Sequence, residues 1–318
     1  MKAVVFDEQG LCLKDIPLPK LQPGEALVKV LLGGLCRTDI EICNGYMNFR
    51  GVLGHEFVGV VEEAEDKALI GKRVVSEINC PCYQCEMCRV GEYRHCYNRT
   101  VLGIYGRDGV FAEYASIPVA NLHTLPDAIP NEFAVFTEPL AACYRVLEQI
   151  QVKPTDSVVV LGDGKMGQLL SQVLSPMVSK FICIGKYDKK LRFLKELNIG
   201  CCKFRECRLP FNADIVIDAT GNPTALEYAI GIVKPRGVIV LKSTVADCFK
   251  LNLSRLVVNE VTILGSRCGR FEPAIKSLSS GMVKVDYLIS GIYDADNFLV
   301  AFEKAKEKES LKVLIRFG

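Results

Sequence analysis

No run in the 318-residue sequence approaches the ~18 consecutive apolar residues of a membrane-spanning helix, so no membrane span is expected. An excess of one charge is missing too. The 39 Lys+Arg stand against 37 Asp+Glu, a net +2 that gives no bulk attraction to nucleic acid or anionic membrane. The start, MKAVVFDEQGLCLKDIPLP, has no long apolar core before a small-residue cleavage site, and its MKAVVF reads as a strand. A soluble, non-secreted, cytoplasmic protein is the expectation. Tryptophan is absent, histidine is scarce at three residues, and no internal repeat is visible. Against these absences stand 15 cysteines. Without a secretion signal they point away from a disulfide scaffold and toward metal ligation, redox chemistry or plain burial.

At ~100–200 residues per domain, the length suggests two domains, each able to bury a core. The first ~140 residues read as mostly β. ALVKVLL (26–32), FVGVVEE (57–63) and KRVVSEI (72–78) are short runs separated by Pro/Gly turns, the pattern of a sandwich or barrel. Near residue 139 the character changes. LAACYRVLEQI (140–150) has helical spacing, and then strands and helices alternate: SVVVLG (157–162), a helix from Lys165 to Leu174, KFICIG (180–185), KKLRFLKELNI, DIVIDATG (214–221), TALEYAIGIV (224–233) and GVIVLKS (237–243). Such alternation implies a parallel sheet with right-handed crossovers. VTILGS (261–266), a helix over 273–280 and an amphipathic tail follow. The charged EKAKEKES (303–310) reads as a solvated helix face.

Gly162-Asp163-Gly164-Lys165-Met166-Gly167 fits G-x-G-x-x-G and lies between an apolar strand and a helix. Gly162 permits the tight turn, Gly164 lets the backbone approach a pyrophosphate, and Gly167 lets helix and strand pack closely. Lys165 and Met166 begin the helix, whose N-terminus offers free N–H groups and a positive dipole. At the end of the next strand an NAD site normally carries Asp or Glu for the adenosine ribose. Here the residues are Gly185-Lys186-Tyr187, and Asp188 reads as a helix cap. Gly185 leaves room for a 2′-phosphate, Lys186 offers a cation, and Arg205 is available to join it. NADP(H) is therefore expected in preference to NAD(H).

Residues 80–96 read CPCYQCEMCRVGEYRHC. Cys82, Cys85 and Cys88 are spaced C-x2-C-x2-C, with Cys96 after seven further residues. Four thiolates so close suit a closed tetrahedral zinc site, structural in kind. The competing reading is an iron–sulfur cluster, whose motif continues C-x3-C-P, whereas here Tyr97 follows Cys96. Cys80 reads as a bystander. His95 beside Cys96 reads as a surface histidine and His123 as a loop residue.

A second set is scattered: Cys36 in GGLCRTD, His55-Glu56 in GVLGHEFVG and Glu138 in FTEPLAACYR. One Cys, one His and carboxylates suit a catalytic zinc with a position left for substrate. Sequence distance alone does not join them. The order of motifs does: G-x-x-C-R-T-D, G-H-E, the four-cysteine lobe, E-P-L-A and G-x-G-x-x-G resemble the zinc-dependent medium-chain alcohol dehydrogenase/reductase family over essentially the whole chain.

That resemblance implies an α/β protein: a GroES-like β-barrel catalytic domain (1–140 and 267–318, with the zinc lobe at 80–97) and a Rossmann domain (141–266), the active site lying between them. It implies two zinc ions, one catalytic and one structural, with Cys36 and His55 as catalytic ligands. Glu138 sits where polyol and sugar dehydrogenases have a ligand glutamate, and Glu56 binds zinc directly or stands behind the ligands; the two are left unranked. Asp39 resembles the residue that orients the ligand histidine. Thr38 resembles the hydroxyl that passes the substrate proton onward. Glu41 replaces the relay histidine of many alcohol dehydrogenases, so the proton continues either to Glu41 or through the ribose hydroxyl to water. Arg37 and Lys312 resemble cations that contact the cofactor pyrophosphate, the alternative for each being a surface cation. Tyr46 and Phe49 lie between the Cys36 and His55 ligands, as pocket lining or plain packing.

The expected activity is interconversion of a small alcohol and an aldehyde or ketone, in the reductive direction, by a homodimer or homotetramer. Two other readings remain. One is an NAD(H)-dependent polyol or sugar dehydrogenase, against which Gly185-Lys186 argues. The other is a non-catalytic zinc- and nucleotide-binding redox sensor, against which the ligand set and Thr38 argue.

Overall fold

The computed structural model describes residues 1–243 and 251–318. The chain divides into two compact units, Met1–Glu138 with Phe271–Gly318, and Pro139–Arg270. Among the described residues no helix is long and apolar enough to cross a membrane.

The first unit is the GroES-like barrel, built on the long strand Glu25–Gly34. Its alternating burial, with Val28, Val30 and Leu32 inward, is the period of two expected of a half-buried strand. One edge pairs antiparallel with Phe57–Glu63; the other takes Tyr114–Pro118 near its start and Lys312–Arg316 near its end. Lys312–Arg316 also pairs in parallel with Ile289–Asp294, so the C-terminal segment completes a sheet begun some 280 residues earlier. Phe111 anchors the core, stacked on Phe317 and edge-on to Phe302 at 6.2 and 6.3 Å between centroids.

The second unit is the Rossmann unit, a six-stranded, wholly parallel sheet. Its spatial order is Cys201–Lys203, Lys180–Gly185, Ser157–Leu161, Ala213–Asp218, Val233–Leu241, Thr262–Gly265. Numbered along the chain that is 3-2-1-4-5-6, in which the direction of winding reverses at Ser157–Leu161. This strand is buried throughout, as a central parallel strand covered on both faces must be, and its sequence SVVVL correspondingly carries three consecutive valines.

One expectation is corrected. The cysteines include a disulfide, Cys202–Cys207, with Cα atoms 5.4 Å apart. The edge strand Cys201–Lys203 ends in a turn that brings the chain straight back, and both half-cystines pack against the apolar core of this unit. A spacing of five carries no metal or redox signature, so the pairing was invisible in the sequence. Closing so short a loop is worth about 2 kcal/mol in the chain-entropy account. The Cys202→Ser/Cys207→Ser double variant should therefore lose about that much stability in urea denaturation; an unchanged midpoint would refute this contribution.

Candidate active site and metal centres

Cys82, Cys85, Cys88 and Cys96 form one cluster with all four sulfurs within 4.8 Å of one another. The separations Cys82–Cys96, Cys85–Cys88 and Cys85–Cys96 are 3.5, 3.6 and 3.7 Å. A zinc–sulfur bond of ~2.3 Å in a regular tetrahedron requires sulfurs about 3.8 Å apart, so the donor set fits that ion. Backbone hydrogen bonds from Gln84 and Cys85 pull the Cys82 thiol down to about 6, toward the thiolate a metal needs. Cys80 lies outside the cluster; burial pushes it up to about 11. His95 is also outside, on an exposed turn, and His123 stacks on Phe271.

The second centre is assembled by strand ends. Gly34 closes the long strand and its N–H donates to the Glu56 carbonyl at 2.7 Å, while Leu35 donates to the Val313 carbonyl at 2.9 Å. These bonds bring the Cys36 turn, the His55-Glu56 turn and Lys312 to one place. The ligating atoms of Cys36, His55 and Glu56 lie within 4.8 Å of one another. Glu138, at the start of the helix Thr137–Gln149, is outside that set. A side chain at Gly34 would stand 2.5 Å from Val135 and 3.2 Å from the Glu56 carboxylate, so this close approach needs glycine.

Asp39 holds two of the three segments. Its Oδ2 accepts the Cys36 N–H at 2.8 Å, and its Oδ1 lies 3.2 Å from His55 Nδ1. The imidazole is thereby oriented through Nδ1, and Nε2 would be the nitrogen left for a metal. Burial opposes a charged His55, but Asp39 outweighs it and the pKa is raised well above the ordinary value. Sulfur, imidazole nitrogen and carboxylate oxygen together are a zinc donor set, so these residues fit a catalytic zinc.

Around this centre, Thr38 Oγ1 accepts from the Cys36 thiol at 3.7 Å. Arg37 and Glu41 face each other one helical turn apart, Nε to Oε1 at 2.6 Å, on the exposed side of the helix Arg37–Cys43. Lys312 is not a surface cation. Its side chain is wholly buried, donating to the Glu56 carboxylate and, at 3.0 Å, to the Leu35 carbonyl. That partnership, across 256 positions of sequence, had no signal in the pattern of residues.

In the second unit the glycine turn has the form its motif requires. Gly162 has φ +109°, and a Cβ on Gly167 would sit 1.8 Å from the Gly162 carbonyl oxygen. A Cβ on Gly164 would instead meet nothing within 4 Å, leaving open the face a pyrophosphate needs. Gly164 caps the helix Lys165–Leu174, so the N–H groups of Lys165 and Met166 stand at its positive end. These residues fit a dinucleotide. Lys186 is exposed, as is Arg205, on the disulfide-closed turn whose Phe204 N–H donates to the Gly185 carbonyl at 2.8 Å.

The space beside Gly185 is taken. A Cβ there would stand 2.6 Å from both Cβ and Oδ2 of Asp163. Asp163 Oδ2 accepts the N–H groups of Lys186 and Tyr187, each at 2.7 Å. The glycine accommodates this aspartate, so the room inferred for a phosphate is partly filled. The one available hint was that Asp163 stands at a free position of an otherwise glycine-bound motif.

Residues 22–127 match the model of the alcohol dehydrogenase GroES-like domain, and residues 131–317 that of the glucose dehydrogenase C-terminus. The sorbitol dehydrogenase of Halalkalibacterium halodurans is 27% identical, with 99% of each chain covered. The crystal structure of an alcohol dehydrogenase, rspB, from Escherichia coli CFT073 with NADH superposes with TM-score 0.92 at 28% identity, covering 100% of this chain and 99% of that one. A structure from Sinorhizobium meliloti 1021, solved as a zinc-binding dehydrogenase bound to NADP, gives TM-score 0.90 at 25% identity, covering 99% of this chain and 98% of that one.

Proposed function

The chain belongs to the zinc-dependent medium-chain alcohol dehydrogenase family and is an NAD(P)-linked alcohol oxidoreductase, from which we propose that it reduces a small aldehyde or ketone to the alcohol, with NADP(H) as the preferred nucleotide. The observation that carries this reading is the convergence of Cys36, His55 and Glu56 within 4.8 Å, with Thr38 beside Cys36. When bound, zinc supplies Lewis-acid polarisation of the substrate oxygen and the nicotinamide supplies the hydride.

The chain's own residues do the rest. Cys36 and His55 provide the permanent donors, and Asp39 fixes both through the Cys36 N–H and His55 Nδ1. Glu56 would be the oxygen donor of the set, with Glu138, at the start of the helix Thr137–Gln149, as the other carboxylate available to the ion. Thr38 Oγ1 gives its proton to the substrate oxygen during reduction and takes it back during oxidation. Glu41, held by Arg37, is the outward end of the relay, returning a proton to Thr38 in reduction and accepting one in oxidation. Lys186 supplies the cation for a 2′-phosphate, and Gly162, Gly164 and Gly167 the pyrophosphate turn. A homodimer or homotetramer belongs to the same reading: the sheet-edge strand Thr262–Gly265 and the neighbouring Val257 and Val258 present exposed apolar side chains.

A second reading, an NAD(H)-linked polyol dehydrogenase, is favoured by the Asp163 carboxylate at the strand end and by likeness to a sorbitol dehydrogenase. A screen of NADPH oxidation over aldehydes, ketones and ketoses, with zinc measured on the same sample, decides. Carbonyl reduction with NADPH and two zinc ions per chain is the expected result. Turnover confined to NAD(H) and polyols would replace the first reading with the second.

A further inference from the structure

We propose that Asp163 is a specificity-determining residue: a fixed negative charge at the adenosine-ribose position that opposes Lys186 and limits discrimination in favour of NADPH. This rests on a nicotinamide nucleotide binding at the Gly162–Gly167 turn, whichever nucleotide the unaltered enzyme prefers.

In dinucleotide-binding sheets the carboxylate that accepts the ribose hydroxyls stands at the end of the second strand, ~20 residues beyond the glycine motif. That position is Gly185, and Asp163 leaves no space for a side chain there. The carboxylate has not disappeared; it arrives from the glycine turn. Asp163 is 6% exposed, and its Oδ2 is held by two consecutive backbone N–H groups, those of Lys186 and Tyr187.

Two such N–H groups ahead of the helix Asp188–Glu196 form a pocket of partial positive charge, the kind of place where an external anion binds. Here Asp163 already occupies it. The amides are neutral, so they hold the carboxylate in place without supplying a counter-charge. Gln168, fully buried, ties the same two turns by donating to the Asp163 and Lys190 carbonyls at 3.3 and 2.9 Å. Swinging the anion away would break both of its hydrogen bonds to the Lys186 and Tyr187 N–H groups.

The consequences for the two nucleotides differ in sign. The ribose hydroxyls of NAD(H) are donors that a carboxylate accepts. The 2′-phosphate of NADP(H) is an anion that meets Asp163 in repulsion and Lys186 in attraction. The exposed Lys186 attracts through solvent, whereas the buried Asp163 repels from a site of lower effective dielectric. Removing the aspartate charge should thus change the preference more than its small size suggests.

The test is fluorescence titration of NADH and NADPH into the zinc-loaded enzyme, comparing the ratio Kd(NADH)/Kd(NADPH) in the unaltered protein, Asp163→Asn and Asp163→Ser. Asn keeps a carbonyl oxygen for the two N–H groups and removes only the charge. Ser removes charge and bulk, so it decides if the Asn variant is misfolded by circular dichroism. The ratio is expected to rise about 10-fold or more in both variants, and to fall in Lys186→Ala. A ratio that is unchanged or lower in the aspartate variants overturns the proposal. An unaltered enzyme that prefers NADH overturns the NADP(H) reading and leaves the role of Asp163 standing. Failure of the unaltered enzyme to bind either nucleotide overturns both.

Discussion

Cys36→Ser and His55→Ala are each expected to lower kcat/KM by about 10^3-fold or more, with NADPH affinity held within about twofold. The magnitude follows from what the centre contributes. Lewis-acid stabilisation of charge on the substrate oxygen amounts to several kcal/mol, and each ~1.4 kcal/mol is tenfold in rate. Among the described residues the close set is Cys36, His55 and Glu56, so losing one strong donor leaves too few to hold the ion. The split between rate and nucleotide affinity follows because the glycine turn is made by residues of the other compact unit. Metal analysis supplies the independent readout: zinc should fall from two ions per chain to one, since Cys82, Cys85, Cys88 and Cys96 form a separate cluster. Both variants retaining turnover would remove the zinc mechanism; a loss of both ions would mean that the centres are not independent.

What the sequence disclosed, and what it withheld, follow from how local each determinant is. The glycine turn was readable because three glycines within six residues meet three steric demands of one strand–turn–helix, and the structure shows the demands at Gly162 and Gly167 directly. The four-cysteine lobe was readable for the same reason. Its donors lie within 15 residues, around the short helix Glu86–Arg89, so the chain between them has little freedom to place them otherwise. The alternation of strands and helices after residue 139 announced the parallel sheet, whose strand Ser157–Leu161 is buried throughout. Determinants joined through space were not readable. Lys312 and Glu56 meet only because the last strand pairs with Gly34. Asp163 reaches the end of the next strand only because the two turns lie side by side, and the Cys202–Cys207 disulfide depends on the direction of a short turn. In each case the missing information is the position of one element against another, which neither periodicity nor spacing encodes.

Lys312→Met tests the least local of these contacts, and it is expected to destabilise the protein by about 3–5 kcal/mol. Both members of the Lys312–Glu56 pair are fully removed from solvent. Taking two charges out of water costs as much as their attraction returns, so the pair as a whole contributes little net stability. Removing one partner is a different matter, because the Glu56 carboxylate would remain buried with its principal cation gone. Methionine fills most of the volume of the lysine stem, so packing loss adds little to the effect. The accompanying loss of the hydrogen bond to the Leu35 carbonyl loosens the turn that carries Cys36. A double-mutant cycle separates the charge term from the rest. If it dominates, Lys312→Met/Glu56→Gln should be markedly more stable than Lys312→Met alone, because the second substitution removes the stranded charge. Urea denaturation with the Cys36–His55–Glu56 centre free of metal measures all three, since a bound zinc would itself compensate the Glu56 carboxylate. A single variant within ~0.5 kcal/mol of the unaltered protein, or a double variant no better than the single, would show that Glu56 finds another counter-charge. The metal centre would then be held by Asp39 and the strand ends without help from Lys312.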